Sequence, residues 1–174
     1  MLTTILIIVA VVIAAILIYA AMKPDSFAVQ RTARINAPAE QIFPLINDLK
    51  RFTTWSPFEK DPAMKRTFTG AETGRGQVYA FDGNRNVGAG DVSIVDTVQN
   101  QKIAMRLRMT RPFACDNSVV FTLQPSGSAT DVTWAMSGEQ PYMAKLMSTF
   151  INCDKMVGSQ FEQGFGKLKA LVER

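Results

Sequence analysis

The residues from Pro141 to Arg174 constrain this chain more than any other stretch. Apolar side chains fall there at Met143, Leu146, Met147, Phe150, Ile151, Val157, Phe161, Phe165, Leu168 and Leu171. That spacing of threes and fours predicts one amphipathic helix, roughly 45 Å long at about 1.5 Å per residue. Such a helix needs an equally long apolar surface to cover it. Only Asp154 breaks the stripe, and helical periodicity puts it near the centre of the apolar face.

The preceding residues can supply that surface. Phe27–Ile35 alternates, with Phe27, Val29, Ala33 and Ile35 on one face. Arg31 falls on the same face. Asn36-Ala37-Pro38 then opens a short helix over Ala39–Asn47, Asn36 being a capping residue type. A second short helix follows over Leu49–Thr54. Beyond it, strands are predicted at 65–69, 77–81, 87–98, 102–109, 117–123 and 131–137. The alternation is cleanest where Ile103, Met105, Leu107 and Met109 oppose Lys102, Arg106 and Arg108. Short turns such as Asp82-Gly83-Asn84 and Pro125-Ser126-Gly127-Ser128 imply an antiparallel meander. The class is therefore α+β: about seven antiparallel strands with one apolar face, covered by the terminal helix.

The first residues are a separate unit. Leu2–Met22 carries no charge, which is enough apolar length to cross a bilayer. A cleaved signal peptide would need a basic start and a shorter core, and Ile18-Tyr19-Ala20 is a poor cleavage site. The expectation is an uncleaved, single-pass transmembrane anchor over 1–23, a short linker over 24–26 and a folded domain over 27–174. Lys23, Arg31 and Arg34 follow the span, so the positive-inside rule favours a cytoplasmic domain.

Composition excludes more than it suggests. The net charge is +4, but Lys and Arg are scattered singly, without the stripe that nucleic acid requires. There is no histidine, which removes the commonest general base and the commonest metal ligand. Cys115 and Cys153 stand alone, so neither a zinc site nor a disulfide framework is expected. No metal or other cofactor is called for.

Particular motifs carry a resemblance. Residues 27–38 are similar to the first strand and short helix of the START-like, SRPBCC superfamily, which includes polyketide cyclase/dehydrase and lipid-transfer proteins. Trp55-Ser56-Pro57-Phe58, Asp61-Pro62-Ala63-Met64, Phe81-Asp82-Gly83-Asn84, Val87-Gly88-Ala89-Gly90 and Arg111-Pro112-Phe113 resemble motifs of one bacterial branch. Asp154-Lys155-Met156-Val157-Gly158, Phe161-Glu162-Gln163-Gly164 and Leu168-Lys169 resemble its terminal helix. The resemblance implies a helix-grip fold, a curved sheet around a long C-terminal helix. It also implies a cavity between the two for an apolar small molecule or lipid. A cyclase/dehydrase-like enzyme is the alternative, and a non-catalytic regulatory or interaction module a further one.

Several residues are candidates for that cavity. A carboxylate within an apolar stripe must be paired, hydrogen-bonded or protonated, so Asp154 is singled out with Arg31 as its possible partner. Either the pair fixes helix to sheet, or Asp154 meets a ligand head group or works as an acid or base. Trp55, Tyr79, Phe81, Trp134 and Tyr142 are aromatic candidates for the lining, and Met105, Met147 and Phe150 are flexible or bulky apolar ones. Asp82 and Asp91 are a weaker candidate carboxylate pair, which strand alternation alone does not place in a cavity. Gly158 and Gly164 lie inside the predicted helix, where each costs roughly 1 kcal/mol relative to Ala. Close approach of the sheet and a bent helix both explain them.

Overall fold

Each alternating stretch becomes a strand in the computed structural model, which describes residues 1–173. Arg174, the last residue of the predicted helix and domain, lies outside the described residues. The strands are β1 (Ser26–Ile35), β2 (Lys65–Gly70), β3 (Gln77–Asp82), β4 (Ala89–Val98), β5 (Lys102–Arg111), β6 (Cys115–Ser126) and β7 (Ala129–Glu139). They form one antiparallel sheet in the order β1-β7-β6-β5-β4-β3-β2. Six strands meander and β1 closes the sheet beside the last of them. The two short helices, α2 (Ala39–Asn47) and α3 (Leu49–Trp55), bridge β1 to the opposite edge. The fold is the α+β helix grip.

Alternation explains which face is inside. On β5, Ile103 and Met105 are buried while Lys102, Arg106 and Arg108 are exposed. On β7, Val132 and Trp134 are buried, and on β6, Val119, Phe121 and Leu123. The outward side carries the ion pairs Arg106–Asp116 and Arg108–Asp91. Arg111 pairs with Asp82. Asp82 and Asp91 therefore each serve an arginine and do not form a carboxylate pair. Asn36 is not the helix cap either. Pro38 occupies that position, and the Asn36 N–H donates to Glu173 Oε1 at 2.7 Å.

The terminal stripe is two helices, not one. These are α4 (Tyr142–Phe150) and α5 (Cys153–Val172), separated by an extended Ile151. Asn152 caps the second, its Oδ1 accepting from the Lys155 N–H at 2.9 Å. At 20 residues, α5 is about 30 Å long rather than about 45 Å. The break resets the helical phase. Asp154 therefore sits in the first turn of α5, where a carboxylate suits the helix dipole, and not on the buried face.

The grip itself is aromatic. Phe161, Phe165 and Leu168 of α5 are buried against the concave face. Phe161 stacks on Trp134, with ring centroids 4.2 Å apart and planes 10° apart. Trp55, Phe52 and Phe121 pack around the same indole. Burying one such side chain contributes about 1.5–3 kcal/mol, and an aromatic pair about 0.5–1.5 kcal/mol more.

The glycines permit this closeness. A Cβ on Gly164 would lie 2.8 Å from Trp134 Cζ3 and 3.1 Å from Pro57 Cδ. A Cβ on Gly158 would strike the Arg31 guanidinium. Close approach accounts for both.

The helix α1 (Leu2–Ala21) is apolar throughout, with a mean hydropathy of 3.0 across its most apolar window. It is long and apolar enough to cross a membrane, a test that an N-terminal signal sequence also passes. It packs against α4, burying Ala20. Tyr142 Oη donates to the Leu17 carbonyl at 3.2 Å and Lys23 Nζ to Ser148 Oγ at 3.0 Å. Lys145 pairs with Asp25.

These contacts set the sign of two alanine substitutions. Gly164→Ala should lower stability by about 1–3 kcal/mol through overpacking, despite its better helix propensity. Gly166→Ala, whose Cβ meets nothing within 4 Å, should raise it by up to about 1 kcal/mol. Chemical denaturation of both variants checks the contrast.

Candidate functional site

The concave face of the sheet is longer than α5 can cover. Phe161 and Phe165 fill the part beneath β7 and α3. Between α5, the 56–64 segment and strands β3 to β7 lies a cavity of about 380 Å³. Its floor comes from Tyr79, Phe81, Val92, Met105, Leu107 and Met109, and its far wall from Val119, Trp134 and Met136. Met156, Val157, Gln160 and Phe161 of α5 form the roof, with Phe52, Phe58 and Met64 closing one side. Most of the lining is apolar, and five of these side chains are methionine. Flexible thioethers fit irregular apolar ligands.

Polar groups interrupt the lining: Lys60 Nζ donates to Gln160 Oε1 at 2.7 Å, and a cluster forms around Glu59. Glu59 Oε1 accepts from Tyr79 Oη at 2.5 Å, and Glu59 Oε2 accepts from Arg66 Nε at 2.8 Å. Only 13% of the Glu59 side chain is exposed. Arg66 also donates to the backbone carbonyls of Met64 and Asp61. Asp61 in turn accepts from the backbone N–H of Ala63 and of Asn84. The Asp61-Pro62-Ala63-Met64 turn thus fixes the guanidinium that holds Glu59, and ties the 83–88 hairpin to the cavity rim. Burial, and then the bond to Glu59, push the Tyr79 phenol well above its ordinary range. Trp134 presents its ring to the cavity, while its Nε1 is buried and has no hydrogen-bond partner among the described residues.

The predicted site residues divide into two sets. Tyr79, Phe81, Met105 and Trp134 line the cavity. Trp55 does not. It is fully buried core, with its Nε1 donating to the Leu45 carbonyl at 2.9 Å. Tyr142, Met147 and Phe150 lie on α4, exposed and away from the cavity, because the helix break turns that segment toward α1. Arg31 and Asp154 do meet, Nη2 to Oδ2 at 2.9 Å, but outside the cavity. Their side chains are 27% and 61% exposed, and Glu162 joins the same guanidinium at 3.2 Å. The Arg31 hydrogen bond holds the Asp154 carboxyl below its usual range. The pair joins β1 to α5 at the surface. Sequence periodicity did not reveal Glu59 and Arg66. Glu59 lies in a loop, where alternation gives no inside or outside.

A second concavity, on the outer sheet face, is lined by short side chains including Ala28, Ser118, Ala135 and Ser137. It has no polar cluster comparable to Glu59.

Fold and cavity together define a helix-grip protein with an apolar internal site. The chain belongs to the polyketide cyclase/dehydrase and lipid transport family, whose sequence profile matches residues 26–173. Among curated proteins none matches this sequence. Solved structures share the fold. Protein CV1439 from Chromobacterium violaceum superposes with a TM-score of 0.60 at 16% identity, covering 87% of this chain and 99% of its own. Protein MLL2253 from Mesorhizobium loti gives 0.61 at 19%, covering 83% and 96%. DynU16, from the dynemicin biosynthetic locus, gives 0.54 at 13%, covering 85% of this chain and 47% of its own.

Two titrations follow. Because the folded pKa of Tyr79 is raised, its contribution to stability is complete below about pH 10 and is lost as the pH climbs beyond it. Wild type should therefore lose more stability than Tyr79→Phe across that alkaline range, as measured by denaturant midpoints. In the folded protein, one tyrosinate should appear later than the others by ultraviolet absorbance. The folded pKa of Asp154 is depressed, so its contribution is present above about pH 4 and fades as pH falls through the lower folded value. The stability gap between wild type and Asp154→Asn should be small, shrink with salt, and close in acid.

Proposed function

We propose that this protein is a membrane-anchored carrier or receptor that holds an apolar small molecule or lipid between sheet and α5. The observation that carries this reading is the cavity. Its roughly 380 Å³ fall within the size of small-molecule sites, and its mostly apolar lining includes the fixed polar cluster around Glu59. The family's printed scope, which includes lipid transport, supports it. In this reading Glu59 and Tyr79 orient a ligand that carries a polar end, and the Trp134 ring packs against its body. Phe81, Met105 and the other methionines enclose its apolar body.

In the same reading α1 is an uncleaved anchor, and Lys23 after it favours a cytoplasmic domain. The strand register supports a close relation between cavity and membrane. Ser26, Asp82, Ala89, Arg111, Cys115 and Glu139 all lie at one end of the sheet, the end where the chain leaves α1. Asn86 and Val87, in the hairpin at that end, line the cavity.

A catalytic reading has one specific support, the low-exposure carboxylate of Glu59 inside the cavity. Arg66 and Tyr79 already occupy both of its oxygens, which suits a fixed anchor better than a free base. Asp154, outside the lining, offers no alternative.

Mass spectrometry of molecules that co-purify with the full chain in mild detergent tests the carrier reading. Wild type should retain a defined apolar species, and Leu107→Trp, which fills the cavity, should lose it while keeping a cooperative melt. Equal retention by both, or no retained species from wild type across a lipid panel, would count decisively against the reading.

A further inference from the structure

The helix α4 leaves its apolar side unpartnered. Phe150 is 71% exposed and Met143 65%, with Tyr142, Met147 and Ile151 also open. Its other side is occupied: Lys145 and Ser148 hold the α1–β1 link through Asp25 and Lys23. A short amphipathic helix is therefore clamped against the C-terminal turns of an apolar helix, with its greasy face outward.

We propose that this outward face of α4 sits in the interfacial layer of the membrane that α1 crosses. The inference rests on the reading of α1 as a transmembrane anchor. Depth is the first argument. Tyr142 bonds the carbonyl of Leu17, which lies four residues before the end of α1 at Ala21. At about 1.5 Å per residue that is roughly 6 Å inside the helix end, within the 5–10 Å at which interfacial helices lie. Tyrosine is also a preferred residue at that level. Position is the second argument. The sheet end defined by Ser26 and Glu139 also carries the 112–114 loop, and Phe113 there is 69% exposed. Exposed aromatics from two separate elements thus belong to the α1 end of the domain. Met156, four residues after the α4–α5 break, is exposed and lines the cavity. Seating α4 in the interface would bring that cavity edge to the lipid surface.

The test uses the full chain with Cys115 and Cys153 replaced by Ser, reconstituted into phosphatidylcholine vesicles with brominated acyl chains. A thiol-reactive fluorophore is placed singly at Phe150→Cys, Met143→Cys, Ile13→Cys in α1, or Ser128→Cys at the opposite end of the sheet. Bromine quenching at position 150 should approach that at position 13 and exceed that at position 128 several-fold. Position 143 gives the same readout if the first variant misfolds. Quenching at 13, with 150 and 143 no higher than 128, would overturn the seating of α4 and leave the anchor intact. No quenching at 13 would remove the anchor and this proposal together.

Discussion

The stack of Phe161 on Trp134 is the contact on which the rest of the grip depends. It joins the centre of α5 to the central part of β7 at a centroid distance of 4.2 Å. So short an approach needs a helix surface without side chains beside the contact, and Gly164 provides it. Helix propensity alone would disfavour glycine there by roughly 1 kcal/mol. The buried aromatic cluster offsets that cost several times over, since Trp55, Phe52 and Phe121 converge on the same indole.

The cavity follows from the same geometry. Pinning α5 at Trp134 leaves the β3–β5 part of a curved sheet without helix above it. Tyr79, Val92 and Leu107 then face a gap closed mainly by the 56–64 segment and the first turns of α5, with Phe52 and Val87 at its sides. A loop that closes an apolar gap needs its own rigidity, and here hydrogen bonds supply it. Arg66 binds Glu59 and two carbonyls of the loop, while Asp61 holds the neighbouring hairpin. The polar cluster at the cavity wall is thus also the device that keeps the wall in place. Removing Glu59 would leave the buried phenol of Tyr79 without its acceptor, so structure and ligand orientation are coupled at this residue.

Much of this was legible in the sequence. Period-two alternation in Lys102–Met109 and Asp131–Ser137 identified inside and outside correctly, because half-buried strands must alternate. Element order was sufficient for the topology. The misreadings in the terminal stretch share one cause, a phase carried across a break. Asn152 restarts the helix, so a stripe counted from Met143 no longer applies at Asp154. That single shift turned an exposed first-turn carboxylate into an apparent buried one. It also assigned Met147 and Phe150 to the wrong surface. Glu59 went unseen for a different reason: its burial is created by residues distant in sequence, Arg66 and Tyr79, and loops have no period to betray it.

The Arg31–Asp154 pair shows how a correct pairing can have a different meaning from the one its residues suggest. A charge on the apolar face of β1 ought to be expensive, yet Arg31 lies at the edge of the sheet, where α5 begins. Gly158 opens a gap through which the guanidinium reaches the helix, and the aliphatic stem remains against the protein while the head stays near water. The interaction is therefore cheap to make and weakly stabilising. Its value is positional: it sets where the first turns of α5 lie, and Met156 and Val157 of those turns form part of the cavity roof. An exposed ion pair can in this way define the boundary of an apolar site without contacting anything inside it.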